Sequence, residues 1–196
     1  MSDFLEQRIK RIVVGVTGAS GSIYGWRLLE KLREQSHIET HLIITRSGER
    51  TAYLEMGKTA SDFRNLATYH YPVEDIGSRL ASGSAVLDAM VVLPCSIHSM
   101  SAIAAGISSN LLIRAADVML KERRRLILMV RETPLHLGHL RTMTALAEMG
   151  AIIAPPVPAF YHRPQTAADI VEHSVDRALD LLGIPAPDTK RWDGKP

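Results

Sequence analysis

The sequence predicts an α/β protein: a single three-layer domain with a mainly parallel sheet and helices on both faces. Three observations predict it. Short β-branched runs alternate with segments of helical periodicity along the 196 residues. The runs are apolar on successive positions, as strands covered on both faces must be. No internal repeat, low-complexity tract or linker divides the chain, whose length is that of one ordinary domain.

The elements follow in order. Arg11-Ile12-Val13-Val14-Gly15-Val16-Thr17 is a buried strand, and Gly18-Ala19-Ser20-Gly21-Ser22 is the tight turn after it. Ile23 to Glu34 reads as a helix with Ile23, Leu28, Leu29 and Leu32 on one face. Ile38 to Thr45 is a second strand, Arg46 to Met56 a helix, and Ser61-Asp62 caps a short helix through Leu66. Residues 68–85 read as a long loop. Ala89 to Leu93 is a strand stopped by Pro94, and Ser96 caps a helix running to Ala105. Leu111 to Arg123 is helical, Leu126 to Val130 a strand, Leu135 to Met149 a helix and Ala151 to Ile153 a short strand. Pro155, Pro156 and Pro158 stiffen a loop, and Thr166 to Gly183 is a final amphipathic helix. Residues 1–9 read as an N-terminal extension and 184–196 as a polar tail. Trp192 is unusual there, because an exposed tail rarely carries tryptophan without docking it.

Composition excludes several classes. Hydrophobic residues are 46% and charged residues 22%, near globular averages, which rules out a disordered tail, a collagen-like chain or a disulfide scaffold. Lys+Arg 23 against Asp+Glu 21 leaves no nucleic-acid footprint. Cys95 is the only cysteine, so no internal disulfide or CxxC site exists, as a reducing compartment permits. Residues 1–6 lack a signal-peptide pattern, and no apolar run approaches the roughly 18 residues of a membrane helix. The expectation is a soluble cytoplasmic protein with no nucleic-acid or membrane partner.

In such a fold, sites form where the carboxyl ends of strands meet the following loops. The first loop, residues 17–22, is small enough for close approach of a ligand backbone-first, and a helix starts behind it. It reads either as a mere turn or as a phosphate or flavin contact. It is neither a P-loop nor G-x-G-x-x-G, since the glycines fall at 15, 18 and 21. Pro94-Cys95-Ser96-Ile97-His98-Ser99 forms a second polar cradle, in which Cys95 reads as a packing residue and His98 as an exposed residue or a ligand contact. Arg131-Glu132 follows a buried strand. Arg131 offers a forked donor for phosphate or carbonyl, and Glu132 is either a general acid/base or a carboxylate complementing a helix dipole. Lys121-Glu122-Arg123-Arg124-Arg125 reads as a solvated helix end, and Tyr161 as a packing tyrosine or a phosphate donor. His136 and His139 lack a third ligand, so no metal site is expected.

These segments together resemble the UbiX/Pad1 family of flavin prenyltransferases. The resemblance runs from Val13 to Trp192 through Gly15-Val16-Thr17-Gly18-Ala19-Ser20-Gly21, Ser82-Gly83-Ser84, Pro94-Cys95-Ser96 and Arg114-Ala115-Ala116-Asp117-Val118. It continues through Leu120-Lys121-Glu122-Arg123-Arg124, Arg131-Glu132-Thr133-Pro134-Leu135 and Pro158-Ala159-Phe160-Tyr161-His162-Arg163-Pro164-Gln165. It implies a Rossmann-like, flavodoxin-like fold. It also implies a metal-independent transferase that joins a dimethylallyl group from dimethylallyl monophosphate to N5 and C6 of reduced FMN. The product, prenylated FMN, is then the cofactor of a UbiD-type decarboxylase in ubiquinone biosynthesis. By the resemblance, Gly18, Ala19, Ser20, Thr45, Ser96, Ile97, His98, Ser99 and Arg131 contact FMN, although His98 and Ser99 depart from a stretch that is often Lys-Thr. Lys121, Tyr161 and Arg177 contact the dimethylallyl phosphate, with Lys121, Arg131 and Arg177 converging on one phosphate site, and Glu132, Ser20 and Glu55 are catalytic. Sites shared within a homo-oligomer, typically a dodecamer, are implied as well. A non-catalytic flavin carrier serving a decarboxylase and a flavin-dependent cysteine decarboxylase are the competing readings.

Overall fold

The structure is a computed structural model, and it describes residues 8–186. Trp192, most of the 1–9 extension and the tail beyond Ala186 lie outside the described residues. Six strands form one parallel sheet in the order β3-β2-β1-β4-β5-β6. They are β1 (Lys10–Val16), β2 (Ile38–Ile44), β3 (Tyr69–Tyr71), β4 (Ala89–Cys95), β5 (Arg125–Val130) and β6 (Ile152–Ile153). The helices are α1 (Ser22–Arg33), α2 (Arg46–Met56), α3 (Ala60–Arg64), α4 (Ile97–Ala104), α5 (Leu111–Lys121), α6 (Leu137–Glu148) and α7 (Ala167–Leu182).

The sheet's two faces carry separate cores, sorted by the period of two along each strand. Ile12, Val14 and Val16 of β1 join Leu28, Leu29 and Leu32 of α1 and Val175, Ala178 and Leu179 of α7. Val13 of the same strand faces the other way, with Leu112 and Ala116 of α5, Met100 and Ile103 of α4 and Leu146 of α6. Ile184 and Ala186, just past α7, remain in the first core. Among the described residues no helix is long and apolar enough to cross a membrane.

Four sequence expectations change. Residues 68–85 are not all loop: Tyr69–Tyr71 pairs with β2, and Arg79–Ala81 forms a 3-10 turn. Pro94 does not stop β4, because the register shifts past Val92 and Cys95 pairs with Val130 across a cis Leu93–Pro94 bond. Ile23 is 38% exposed. It lies five positions before Leu28, about 140° off the buried face of a 3.6-residue helix. Finally, Thr59 rather than Ser61 caps α3, through a reciprocal capping box with Asp62.

The edge strand adds a pH dependence. His41 of β2 is fully buried. It stacks on Tyr69 and Tyr71 at ring separations of 5.1 and 5.8 Å. Its Nδ1 shares a 3.0 Å hydrogen bond with the Tyr71 hydroxyl. Burial first, then the Arg79 charge, pushes its pKa down to about 4. The folded protein therefore holds His41 neutral, while the unfolded chain binds a proton there below about pH 6.5. This contribution to stability is fully present above about pH 6.5 and is lost as pH falls toward 4, by about 3 kcal/mol. Urea unfolding at pH 7 and pH 4.5 should show a smaller pH-dependent loss for His41→Phe than for the parent. Equal losses would refute the assignment.

Candidate active site

The strand order reverses between β1 and β4. That switch point is where open parallel sheets gather ligands. A cavity of about 570 Å³ lies there, walled by residues 18–20, 96–98, 130–133 and 155–158. A second, of about 600 Å³, is walled by Gly18, residues 45–47, Val73, Glu74, Ile76, Ser96, His98, Ser99, Ser109 and Asn110. Gly18, Ser96 and His98 line both, so the two halves make one cleft.

The first loop is held from three sides. The buried Thr17 hydroxyl donates to the Pro94 carbonyl at 2.8 Å and accepts from the Ser96 amide at 2.8 Å, tying the loops after β1 and β4 together. A Cβ on Gly18 would stand 2.5 Å from the Ser47 Cβ, so only glycine lets the loop lie this close to α2. Gly21 precedes α1 at φ 104°. The start of α1 is satisfied by a side chain of the protein itself: Glu55 accepts from the Gly21 amide at 3.0 Å and the Ser22 amide at 2.8 Å. Burial pushes the Glu55 pKa up, but hydrogen bonds from the Ser20 hydroxyl and these amides outweigh it and hold the carboxyl below its ordinary value. The expectation that an incoming anion takes the start of α1 is thus corrected, because Glu55 occupies it.

Two other helix starts face the second half of the cleft. Thr45 caps α2 by accepting from the Gly48 amide at 3.0 Å, and Ser96 caps α4 by accepting from the Ser99 amide at 3.3 Å. Arg46, Ser47 and His98, in the first turns of those helices, line the cavity, where both dipoles favour an anion. Cys95 is fully buried and its thiol is pushed up to about 12 by that burial, so it packs rather than attacks.

Arg131 is anchored after β5. Its amide donates to the Cys95 carbonyl and its Nε to the Ser20 carbonyl, each at 3.0 Å. Its guanidinium lies 5.7 Å from the Tyr24 ring centre. Glu132 beside it is exposed and accepts from the Thr133 amide at 3.0 Å. α6 begins only at Leu137, capped by His136, so Glu132 is not in its first turn and does not complement its dipole.

The expected phosphate contacts separate. Asn110, at the start of α5, lines the cleft, whereas Lys121, at its end, lines a cavity of about 1180 Å³ with Lys10, Asp88 and Arg125 at the amino ends of the strands. A helix of 11 residues carries Lys121 about 16 Å along its axis from that start. Lys121 is ion-paired with Glu122 there. Within one chain, Lys121 and Arg131 therefore do not converge. Tyr161 and Arg177 stay together elsewhere, near His162 and His173, and neither is among the cleft walls.

Sequence reasoning missed Arg46, Ser47, Glu74, Ser109 and Asn110 as wall residues. The position of Arg46 and Ser47 directly after β2, and of Asn110 as an N-cap, were signals for three of them. Among the described residues no group of three His, Cys, Asp or Glu is placed to hold a metal ion.

Comparison with known proteins agrees with this architecture. The flavoprotein family matches residues 3–178. The flavin prenyltransferase UbiX of Escherichia coli K12 is 50% identical over 95% of this chain and 100% of its own length. The crystal structure of AnUbiX in complex with FMN and dimethylallyl pyrophosphate superposes at a TM-score of 0.93 with 43% identity, over 96% of this chain and 100% of that one. A dodecameric FMN-dependent UbiX-like decarboxylase from Escherichia coli O157:H7 gives 0.92 with 43% identity, over 94% and 100%. With half its residues shared along nearly its whole length, the chain belongs to the flavoprotein family and, within it, to the UbiX flavin prenyltransferases.

Proposed function

We propose that this protein transfers the dimethylallyl group of dimethylallyl monophosphate to reduced FMN, forming prenylated FMN for a UbiD-type decarboxylase of ubiquinone biosynthesis in the cytoplasm. The observation that carries this reading is the two-part cleft at the switch point, in a chain of this family. The cleft fits FMN. The start of α1 is taken by Glu55, while the starts of α2 and α4 face the half of the cleft beside Thr45, His98 and Ser99 and suit the flavin's phosphate. Gly18, Ala19, Ser20, Ser96, Ile97 and Arg131 wall the other half and suit its rings.

Bound reduced flavin supplies two nucleophilic positions, N5 and C6. The chain supplies the rest. Tyr161 and Arg177 do not wall the cleft of their own chain; they donate to the phosphate at the cleft of a neighbouring copy, stabilising charge on its oxygens as the allylic C–O bond breaks. Lys121 sits at the opposite end of its own subunit and joins such a site only from a second copy, which supports a homo-oligomer of the dodecameric kind. Arg131, tied to the Ser20 carbonyl, keeps the first loop and the loop after β5 in one geometry, so the reacting atoms meet already oriented. Glu132, exposed at the cleft wall, moves the proton that the second bond formation releases. Ser20 relays or orients beside it, with Glu55 as its hydrogen-bond partner.

Anaerobic incubation with reduced FMN and dimethylallyl monophosphate should yield FMN plus one five-carbon unit by mass spectrometry. That product should activate a separately purified apo-UbiD. Unmodified FMN would identify a carrier instead. Glu132→Gln should retain FMN while turnover falls roughly 10²-fold or more. Unchanged anaerobic turnover in that variant removes Glu132 from the proton transfer.

A further inference from the structure

Tyr161 and His162, in the 3-10 turn Phe160–His162, meet His173 of α7 in a cluster of three rings. Ring centres are 4.0 Å apart for Tyr161–His162, 4.5 Å for His162–His173 and 6.1 Å for Tyr161–His173. Arg177 stands one helical turn beyond His173, so both project from the same side of α7. Asp169, one turn before His173, accepts from the Gln165 and Thr166 amides. Glu172 is paired with Arg27 and Lys31 of α1, and Asp176 with Lys31. Asp180 stands 4.0 Å from Arg177, the outer limit of an ion pair. The cluster thus gathers two imidazoles, a phenol and a guanidinium, while Glu172 and Asp176, on either side of His173, are paired with cations of the neighbouring helix.

Nε2 of His162 is buried with no hydrogen-bond partner in the protein. A buried polar nitrogen without a partner is costly, and an oxygen-rich ligand removes that cost when the nitrogen carries a proton. His173 is held below the ordinary histidine value, first by burial, then by His162 and Arg177, with Asp176 opposing them. It is therefore neutral at neutral pH. A phosphate monoester brings between one and a half and two negative charges, by the usual ~6 for its second ionisation, and reverses the sign of that local field.

We propose that His162 and His173 complete the phosphate-binding cluster of Tyr161 and Arg177, and that the imidazole pair takes up a proton from solvent as the phosphate monoester dianion binds. This rests on the reading of Tyr161 and Arg177 as phosphate contacts. The proton then lies beside the phosphate oxygens as the C–O bond breaks, and it departs with the released phosphate. Affinity for the alkyl phosphate consequently rises as pH falls from about 8 to 6.5, a window in which the ligand stays mainly dianionic.

The test is calorimetric titration of dimethylallyl phosphate into the protein loaded with oxidised FMN, which does not turn over. Two phosphate-free buffers of different ionisation enthalpy at pH 7.5 report the protons exchanged. We expect uptake of roughly 0.5–1 proton per phosphate. It should be lost in His173→Gln or His162→Gln, with affinity at pH 6.5 reduced roughly tenfold. An unchanged flavin spectrum and melting temperature show that these variants are folded. No uptake in the parent protein, or equal uptake in both variants, overturns the proposal. Arg177→Gln separates the two levels. If it weakens phosphate binding while the histidine variants change nothing, only the proton-uptake proposal fails. If it leaves affinity unchanged, the phosphate lies elsewhere, and the contact assignment fails with it.

Discussion

Replacing Gly25 by alanine should lower the melting temperature by roughly 4–8 °C. Gly25 lies in α1 where the helix crosses the end of β4. A Cβ there would stand 2.5 Å from the Leu93 carbonyl oxygen and 3.1 Å from Val16 Cγ2. The first of these is backbone inside the sheet and has nowhere to go. Alanine gains about 1 kcal/mol of helix propensity over glycine. Overpacking against a rigid neighbour costs about 3 kcal/mol or more, so the clash wins. The effect reaches the site, because α1 begins at Ser22 and any outward shift pulls the first loop from Glu55 and Arg131. Calorimetry on the variant should therefore show lower stability together with weaker FMN retention. An unchanged melting temperature would show that α1 slides freely over β4.

Replacing Glu55 by alanine should weaken FMN binding roughly tenfold, the effect of losing charge-assisted hydrogen bonds that fix a ligand loop. Glu55 reaches from α2 to the amides of Gly21 and Ser22, so the carboxylate joins two elements that both wall the cleft. Without it, two amides at the start of α1 lose their acceptor, and Ser20 loses the partner of its hydroxyl. Glu55→Gln keeps an acceptor oxygen without the charge and should fall between parent and alanine. The pH response has a definite sign. A carboxyl held below its ordinary value stabilises the loop above that value, and the benefit is lost as pH falls through the depressed pKa. Fluorescence titration of FMN at pH 7 and pH 4 reads both effects. Equal affinities for parent and alanine variant at pH 7 would show that the loop holds its shape unaided.

The fold was legible wherever burial wrote itself as an apolar run. Val13 and Val14 face opposite cores, yet both had to be apolar, and that is why β1 reads clearly. β3 was hidden because it is a three-residue edge strand of Tyr69, His70 and Tyr71, two of them exposed. Its place depends on His41, 28 residues before Tyr69, a contact no local window contains. Pro94 misled for a related reason. A proline ordinarily ends a ladder, but its carbonyl is held by Thr17 and the pairing resumes at Cys95. The cleft was legible as the set of loops after β1, β2, β4 and β5. Convergence of Lys121 with Arg131 was not, since it requires knowing that α5 runs away from the cleft. Likewise, the apparent anion site at the start of α1 is filled by a glutamate 33 residues further along the chain.

The Lys10 ammonium donates to the Gly183 carbonyl at 2.7 Å. The first strand and the end of the last helix therefore meet at the amino ends of the strands, opposite the cleft. Two elements in contact can be covalently joined without moving either. A short linker can join β1 directly to the end of α7, and new ends can be opened at a surface turn such as Gly57–Lys58, where a Cβ added to the glycine would meet nothing within 4 Å. The order in which the elements leave the ribosome would change in such a permutant, while the loops that build the cleft would stay in place.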